Sequence, residues 1–325
     1  MPGFTTHYIF GMKAYNDMPF TPLKHTIAKY RWLYQLGLQG PDMFFYNIPI
    51  LRHRDYRNVG SYMHEHKVSA FFECCLRRIG TIRSRQQQEE AISYLAGFMN
   101  HYIADSICHP YVYGRIGYPV DAPTSMHHGM HAHLENELDA ILLWKYKKKK
   151  PSEFNQTATI CLNGQEIQFI SHFLASCINE TYYPITYRNN FQVTPAMVHR
   201  SIWALRFGCR TLSDKTGKKK FGIAQVESIF VNHPVASAKM VTDSVTDYRS
   251  SCNLNHEAWG NPWDPTRVST ASFVDLFHET LDKCSRVYEL LNSAVTDNVP
   301  LDKQDLSPLL TELGNESYHS GLPVD

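Results

Sequence analysis

Apolar side chains recur at three- and four-residue intervals over residues 20–36, 64–79, 86–106, 127–147, 168–181, 195–212 and 270–293. That repeat places one face of an α-helix against a core, and strand-like alternation is scarce. Local chemistry marks several ends. Thr194 before Pro195 pairs an N-cap hydroxyl with a proline at the first helical position, and Ser269 and Thr270 offer hydroxyl caps ahead of Ala271. Lys147 to Lys150, followed by Pro151, close the 127–147 helix, where cations face the negative end of the helix dipole. Between the helices, the runs 157–162 and 166–170 flank Asn163-Gly164, a pair suited to a two-residue turn, and predict one small β-hairpin near 157–170. Residues 213–220 predict an exposed loop, and residues 301–325, rich in Asp, Ser, Gly and Pro, a flexible tail. The expectation is one large all-α helical bundle domain over residues 1–300, and 325 residues of 43% apolar content suffice to bury its core.

Charge adds little to this picture. Thirty-two Lys and Arg against 31 Asp and Glu create no global field, so nothing steers the chain toward nucleic acid or an anionic surface. No apolar run is long enough to predict a transmembrane segment. The stretch Met1 to His7 lacks the basic-then-apolar pattern of a secretory signal, which predicts a cytoplasmic protein. The cysteines (Cys74, Cys75, Cys108, Cys161, Cys177, Cys209, Cys252, Cys284) show neither CxxC pairing nor regular spacing, so reduced core thiols are expected. No protein partner is readable. Histidine stands out: of 17, nine lie between positions 53 and 133.

Those histidines fall into rows. His101-x3-Asp105-x3-His109 precedes His127-x3-His131-x3-Glu135-x3-Asp139, and four-residue spacing stacks each row on one helix face. Neither row contains Lys or Arg, the residues that a solvated polar face normally intersperses for ion pairing. Imidazoles and carboxylates without cations suit divalent metal, and zinc in particular. Pro110 predicts that the first helix ends near His109. The second row has two registers, His131 with Glu135 or His133 with Glu137, and the first is preferred because it extends to His127 and Asp139. Asp139 is then expected to orient a ligand imidazole. Upstream candidates are His7, Asp42 within Gly40 to Tyr46, and His64, with His66 as its competitor. His25, His53, His172, His199 and His278 stand alone and are read as structural.

In chain order, His7, Asp42, His64, His101-x3-Asp105, His109 and His131-x3-Glu135 resemble the ligand series of the zinc-dependent phospholipase C family, which is similar in fold to the P1/S1 nucleases. The likeness extends over most of the chain, and residues 101–110 and 131–139 look most like bacterial members. It implies an all-helical domain holding three zinc ions at the base of a cleft and hydrolysing phosphodiesters of phospholipid head groups. Carried over, Asp42, His64, His101 and Asp105 would hold one ion and His109, His131 and Glu135 a second, while His7 and Asp105 would share a third. Asp42 would also stand near the catalytic water. The family's third ion is gripped in addition by the amine of an N-terminal Trp, which this chain lacks, so two to three zinc ions are expected, with the Pro2 nitrogen as substitute ligand after removal of Met1.

The chemistry then follows from the metal. Zinc lowers the pKa of bound water from about 15.7 to about 7, so a metal-bound hydroxide is expected to attack phosphorus. The substrate is expected to be a phosphoester small molecule or a phospholipid head group. A P1/S1-like nuclease or phosphomonoesterase is the nearest variant, which global neutrality disfavours, and a non-catalytic metal-binding helical protein is the rival of another class. An HD-type phosphohydrolase would need adjacent His-Asp ligands, which the chain lacks. Phe44, Phe45, Tyr46 and Tyr62 flank the Asp42 and His64 candidates and predict core packing before any π contact with a cationic head group. The aromatic-rich stretch 253–263 is read as a structural loop.

Overall fold

The computed structural model describes residues 3–46, 59–182, 192–214, 216–230, 237–243, 245 and 247–325. Its helices are α1 (Phe4–Asp17), α2 (Pro22–Lys29), α3 (Arg31–Gly37), α4 (Val59–Glu65), α5 (Val68–Thr81), α6 (Arg85–Arg115), α7 (Ser125–Lys147), α8 (Gly164–Thr181), α9 (Pro195–Leu212), α10 (Lys218–Phe230), α11 (Tyr248–Ser251), α12 (Phe273–Thr296) and α13 (Ser307–Leu313). A 3-10 helix (Gly40–Tyr46) follows α3, and one antiparallel hairpin joins β1 (Trp259–Asn261) to β2 (Asp264–Ser269). The chain is an all-α protein with that single small sheet among the described residues. No described helix is long and apolar enough to cross a membrane.

Helix α6 is the axis of the bundle. Its residues from Glu90 to Val112 are buried almost without interruption, so its apolar residues form no single stripe. It contributes Tyr102 and Ile103 to a core shared with α2, α3, α5, α8, α9 and α12. Further along, Ala104 and Cys108 belong to a second core with Phe10 of α1, Leu138 and Leu142 of α7, and Phe277 of α12. The histidines and carboxylates of α6 therefore lie where two apolar cores meet. Helix α3 crosses it with backbone in contact with backbone: a Cβ on Gly37 would stand 2.1 Å from the Tyr94 carbonyl, and one on Gly97 2.1 Å from the Tyr34 carbonyl. Two glycines permit this approach, which no larger residue fits.

Several boundaries depart from the sequence expectation. The 20–36 segment breaks at Tyr30, and the 64–79 segment breaks at Lys67, which takes a left-handed conformation with φ 48°. Pro110 sits inside α6, which runs on to Arg115. Asn163 caps α8 instead of turning a hairpin near 157–170: its side chain accepts from the Glu166 N–H while Glu166 accepts from the Asn163 N–H, a reciprocal capping box. The hairpin lies at 259–269 instead. Ser272, not Ser269 or Thr270, caps α12, again with a capping box through Asp275. Residues from 218 onward of the expected loop belong to α10. The segment 301–325 is packed and not a flexible tail: Leu301, Leu306, Leu309, Leu313 and Tyr318 are buried, because its polar composition hides an apolar side.

Candidate metal centre

Five separate elements bring their polar side chains to one buried place. On α6, His101 and Asp105 share a face, with His101 Nε2 3.1 Å from Asp105 Oδ2. The 3-10 helix after α3 delivers Asp42, since Gly40 takes a left-handed φ of 47° and a Cβ there would stand 2.2 Å from the His101 ring. From α4, His64 Nε2 reaches to 3.2 Å of Asp42 Oδ1 and 3.7 Å of Asp105 Oδ2. One ligand atom from each of Asp42, His64, His101 and Asp105 lies within 4.8 Å of all the others, and all four residues are buried. A second group, His109, His131 and Glu135, meets the same limit, with His131 Nε2 2.6 Å from Glu135 Oε1. From α1, His7 stacks on His101 at 4.0 Å and places Nε2 3.2 Å from Asp105 Oδ1. Asp105 thus borders both groups, its Oδ1 also lying 3.7 Å from His109.

A family model described as zinc dependent phospholipase C matches residues 6–186, more than half of the chain and all of these side chains. The chain belongs to that family. No curated protein and no solved structure gives a significant match. Membership makes zinc the family's metal and hydrolysis its chemistry at the coarse level.

The donors fit such a metal. His64, His101 and His109 each engage Nδ1 with a main-chain carbonyl, of Gly60 at 2.6 Å, Leu38 at 3.1 Å and Tyr318 at 2.7 Å. A proton spent there leaves a lone pair on Nε2, the ligand tautomer that outer partners select in zinc enzymes of this kind. Those Nε2 atoms, with His7 Nε2, Asp42 Oδ1 and both Asp105 oxygens, are buried and make no hydrogen bond of proper geometry, although they face one another at ion-pair distance. So many buried acceptors and lone pairs without hydrogen bonds are costly unless a cation gathers them.

Electrostatics point the same way. Burial holds His7 and His131 below the usual imidazole range and takes His109 down to about 3, so these rings stay neutral and able to bind metal. Burial would raise the Asp105 carboxyl, but His109, His101 and His7 around it win and hold it well below the usual carboxylate range. For His64 burial acts downward, yet the facing Asp105 and Asp42 carboxylates outweigh it and push the ring up to about 9. In the metal-free protein a proton on His64 is therefore the counter-charge that a divalent cation would replace.

The two members of each ambiguous pair lie in different surroundings. His66 turns away to meet Asp325 at 3.2 Å, and half-exposed His133 faces Glu137, whose other oxygen accepts from the Ser251 hydroxyl. His127 takes part in the N-terminal capping of α7 with Thr124. Asp139 is not hydrogen-bonded to an imidazole among the described residues; its carboxylate accepts the N–H groups of Thr5 at 3.1 Å and Thr6 at 2.7 Å. It pins the start of α1 and so places His7 through the backbone. Burial, partly offset by those bonds, raises Asp139 to about 6. Pro2, the expected substitute ligand, lies outside the described residues.

Sequence reading missed what the C-terminal residues contribute. Tyr318 packs on His64 at 4.7 Å and lends its carbonyl to His109, and His319 stacks on His64 at 4.9 Å. A lone His-Tyr pair in a polar tail carries no periodic signal that would have marked it. The 253–263 stretch is anchored structurally: Trp259 donates to the Ala271 carbonyl, Asn261 donates to the Ser320 carbonyl, and Trp263 meets Tyr113 edge-on at 4.9 Å.

Proposed function

We propose that the chain is a zinc-dependent phosphodiesterase acting like a phospholipase C, with a phospholipid head group or a small phosphoester as substrate. The observation that carries the reading is the pair of His and carboxylate groups, the first buried and the second partly so, bordered by one carboxylate, Asp105, in a chain of a zinc-dependent family. Asp42, His64, His101 and Asp105 would hold one ion, His109, His131 and Glu135 another, and His7 with Asp105 would serve a third. Bound zinc supplies Lewis acidity: it makes water acidic near neutral pH and offsets charge gathering on the phosphoryl oxygens.

The side chains have separate tasks. Asp42, with Oδ1 free of hydrogen bonds and buried at the edge of the first group, orients the attacking water or accepts its proton. Leu38, Gly60 and Tyr318 carbonyls hold their imidazoles in the binding tautomer. The packed aromatic surroundings, with Phe45 5.4 Å from His64, limit water around the charges and strengthen every electrostatic contact.

Zinc counted by plasma mass spectrometry, together with hydrolysis of bis(p-nitrophenyl) phosphate, phosphomonoesters and short-chain phospholipids, tests the reading. At least two zinc ions per chain and diester cleavage are expected, and Asp42→Asn, whose amide oxygen can still ligate beside His64, His101 and Asp105, is expected to keep zinc while losing turnover. Fewer than two ions per chain overturns the hydrolase model. Full zinc occupancy without turnover on any of these substrates favours the metal-binding alternative.

A further inference from the structure

Beyond α13, residues 314–325 return across α6 and lock onto the centre from outside the matched family region. The Tyr318 N–H donates to the His64 carbonyl at 2.9 Å, His109 Nδ1 donates to the Tyr318 carbonyl, and the Tyr102 hydroxyl donates to Glu316 Oε2 at 2.6 Å. Gly321, at φ 61°, lies so close to α6 that a Cβ would stand 2.6 Å from the Ser106 carbonyl. That carbonyl lacks its usual helical donor because the residue four ahead is Pro110, so α6 offers a notch there and the segment fills it. The C-terminal segment is therefore a fixed wall of the centre.

His319 is what this wall presents. Its ring lies parallel to His64, at 14° and 4.9 Å, and 5.7 Å from the His109 ring, so it touches one member of each group while belonging to neither. Its Nδ1 stands 3.3 Å from the Tyr113 hydroxyl, and Nε2 makes no hydrogen bond among the described residues. Tyr113 in turn packs against His131 at 4.5 Å and is braced by Trp263.

We propose that His319 is a substrate-contacting residue whose Nε2–H donates to a phosphoryl oxygen held between the two groups, and that Tyr113 positions the ring and selects its tautomer. This rests on the phosphoester reading of the site. With the Tyr113 hydroxyl donating to Nδ1 across that 3.3 Å contact, the ring's own proton sits on Nε2. Cations on both sides would disfavour a charged ring, so the contact needs only the neutral donor. A hydrogen bond to an anionic phosphoryl oxygen is of the strong, charge-assisted kind.

Titration of the zinc-loaded protein with inorganic phosphate by calorimetry, with zinc counted in each sample, tests this without relying on turnover. His319→Ala is expected to weaken phosphate binding roughly ten-fold or more at unchanged zinc content, the value of one hydrogen bond to a charged group. His319→Asn, which keeps a donor, is expected to recover part of the loss, and Tyr113→Phe to cause a smaller one. Unchanged phosphate affinity in His319→Ala, zinc loss in step with phosphate loss, or no phosphate binding by the zinc-loaded parent would each overturn the proposal. A parent that binds phosphate but turns over none of the diesters, monoesters or phospholipids would refute the enzyme reading, and the same titrations would still decide the role of His319.

Discussion

Substituting Gly97 by Ala probes how the first metal group is built. The new methyl would stand 2.1 Å from the Tyr34 carbonyl oxygen and 3.0 Å from the Leu38 nitrogen, both main-chain atoms that cannot rotate away. Ordinary carbon–oxygen contacts begin near about 3.3 Å, so α3 and α6 must part by roughly 1 Å. The Leu38 carbonyl follows α3, and its 3.1 Å bond to His101 Nδ1 stretches past useful length. Overpacking at about 1–3 kcal/mol and the lost bond at about 1 kcal/mol outweigh the roughly 1 kcal/mol that Ala gains over Gly in a helix. A net loss of about 1–3 kcal/mol predicts a fall in Tm of about 2–5 °C for a chain of this length and weaker zinc binding, measured by circular dichroism melts and competition with a chromophoric chelator. Gly222→Ala is the control, since α10 leaves open space around that position and the change should be neutral or stabilising. A Gly97→Ala protein with parental Tm and zinc affinity would refute the account of the crossing.

Two further outcomes are expected. His131→Ala should remove about one zinc ion per chain by plasma mass spectrometry, whereas His133→Ala should leave the metal count intact and shift stability by less than about 0.5 kcal/mol, and the reverse result would move the second group to the other register. Acid should destabilise the metal-free protein through His109: its folded pKa of about 3 lies below the usual 6.5, so the unfolded chain takes up protons first, and stability is lost as pH falls from about 6.5 toward 3. Between pH 6.5 and 5 the parent should lose about 2 kcal/mol more than His109→Gln in urea titrations with chelator present, and equal losses would contradict that burial.

The rows on α6 and α7 were legible because a helix converts four-residue spacing directly into a shared face. His7, Asp42 and His64 were a different matter: single residues on separate elements, recognisable by family resemblance and order but placed only by the crossing at Gly37 and Gly97 and the turn at Gly40. Asn163-Gly164 misled because an asparagine that can turn a hairpin can equally cap a helix, and Glu166 three residues on decides for the cap. The C-terminal segment was misread from its Asp, Ser and Gly content, although Leu306, Leu309 and Leu313 lie at helical spacing and are buried. Pro110 ordinarily marks a helix stop, whereas here α6 runs on and Gly321 settles into the gap the proline leaves.

That His101, Asp105 and His109 come from one unbroken rod gives the centre a built-in ruler. Each four-residue step advances about 6 Å along the axis, so the separation between the two donor groups is set by helix pitch and not by loop length. Adding a single residue between His101 and His109 would swing the far donor by about 100° and sever the two halves at a stroke. Adjustment of the chemistry is therefore left to the surrounding elements, whose side chains can change without resetting that scale.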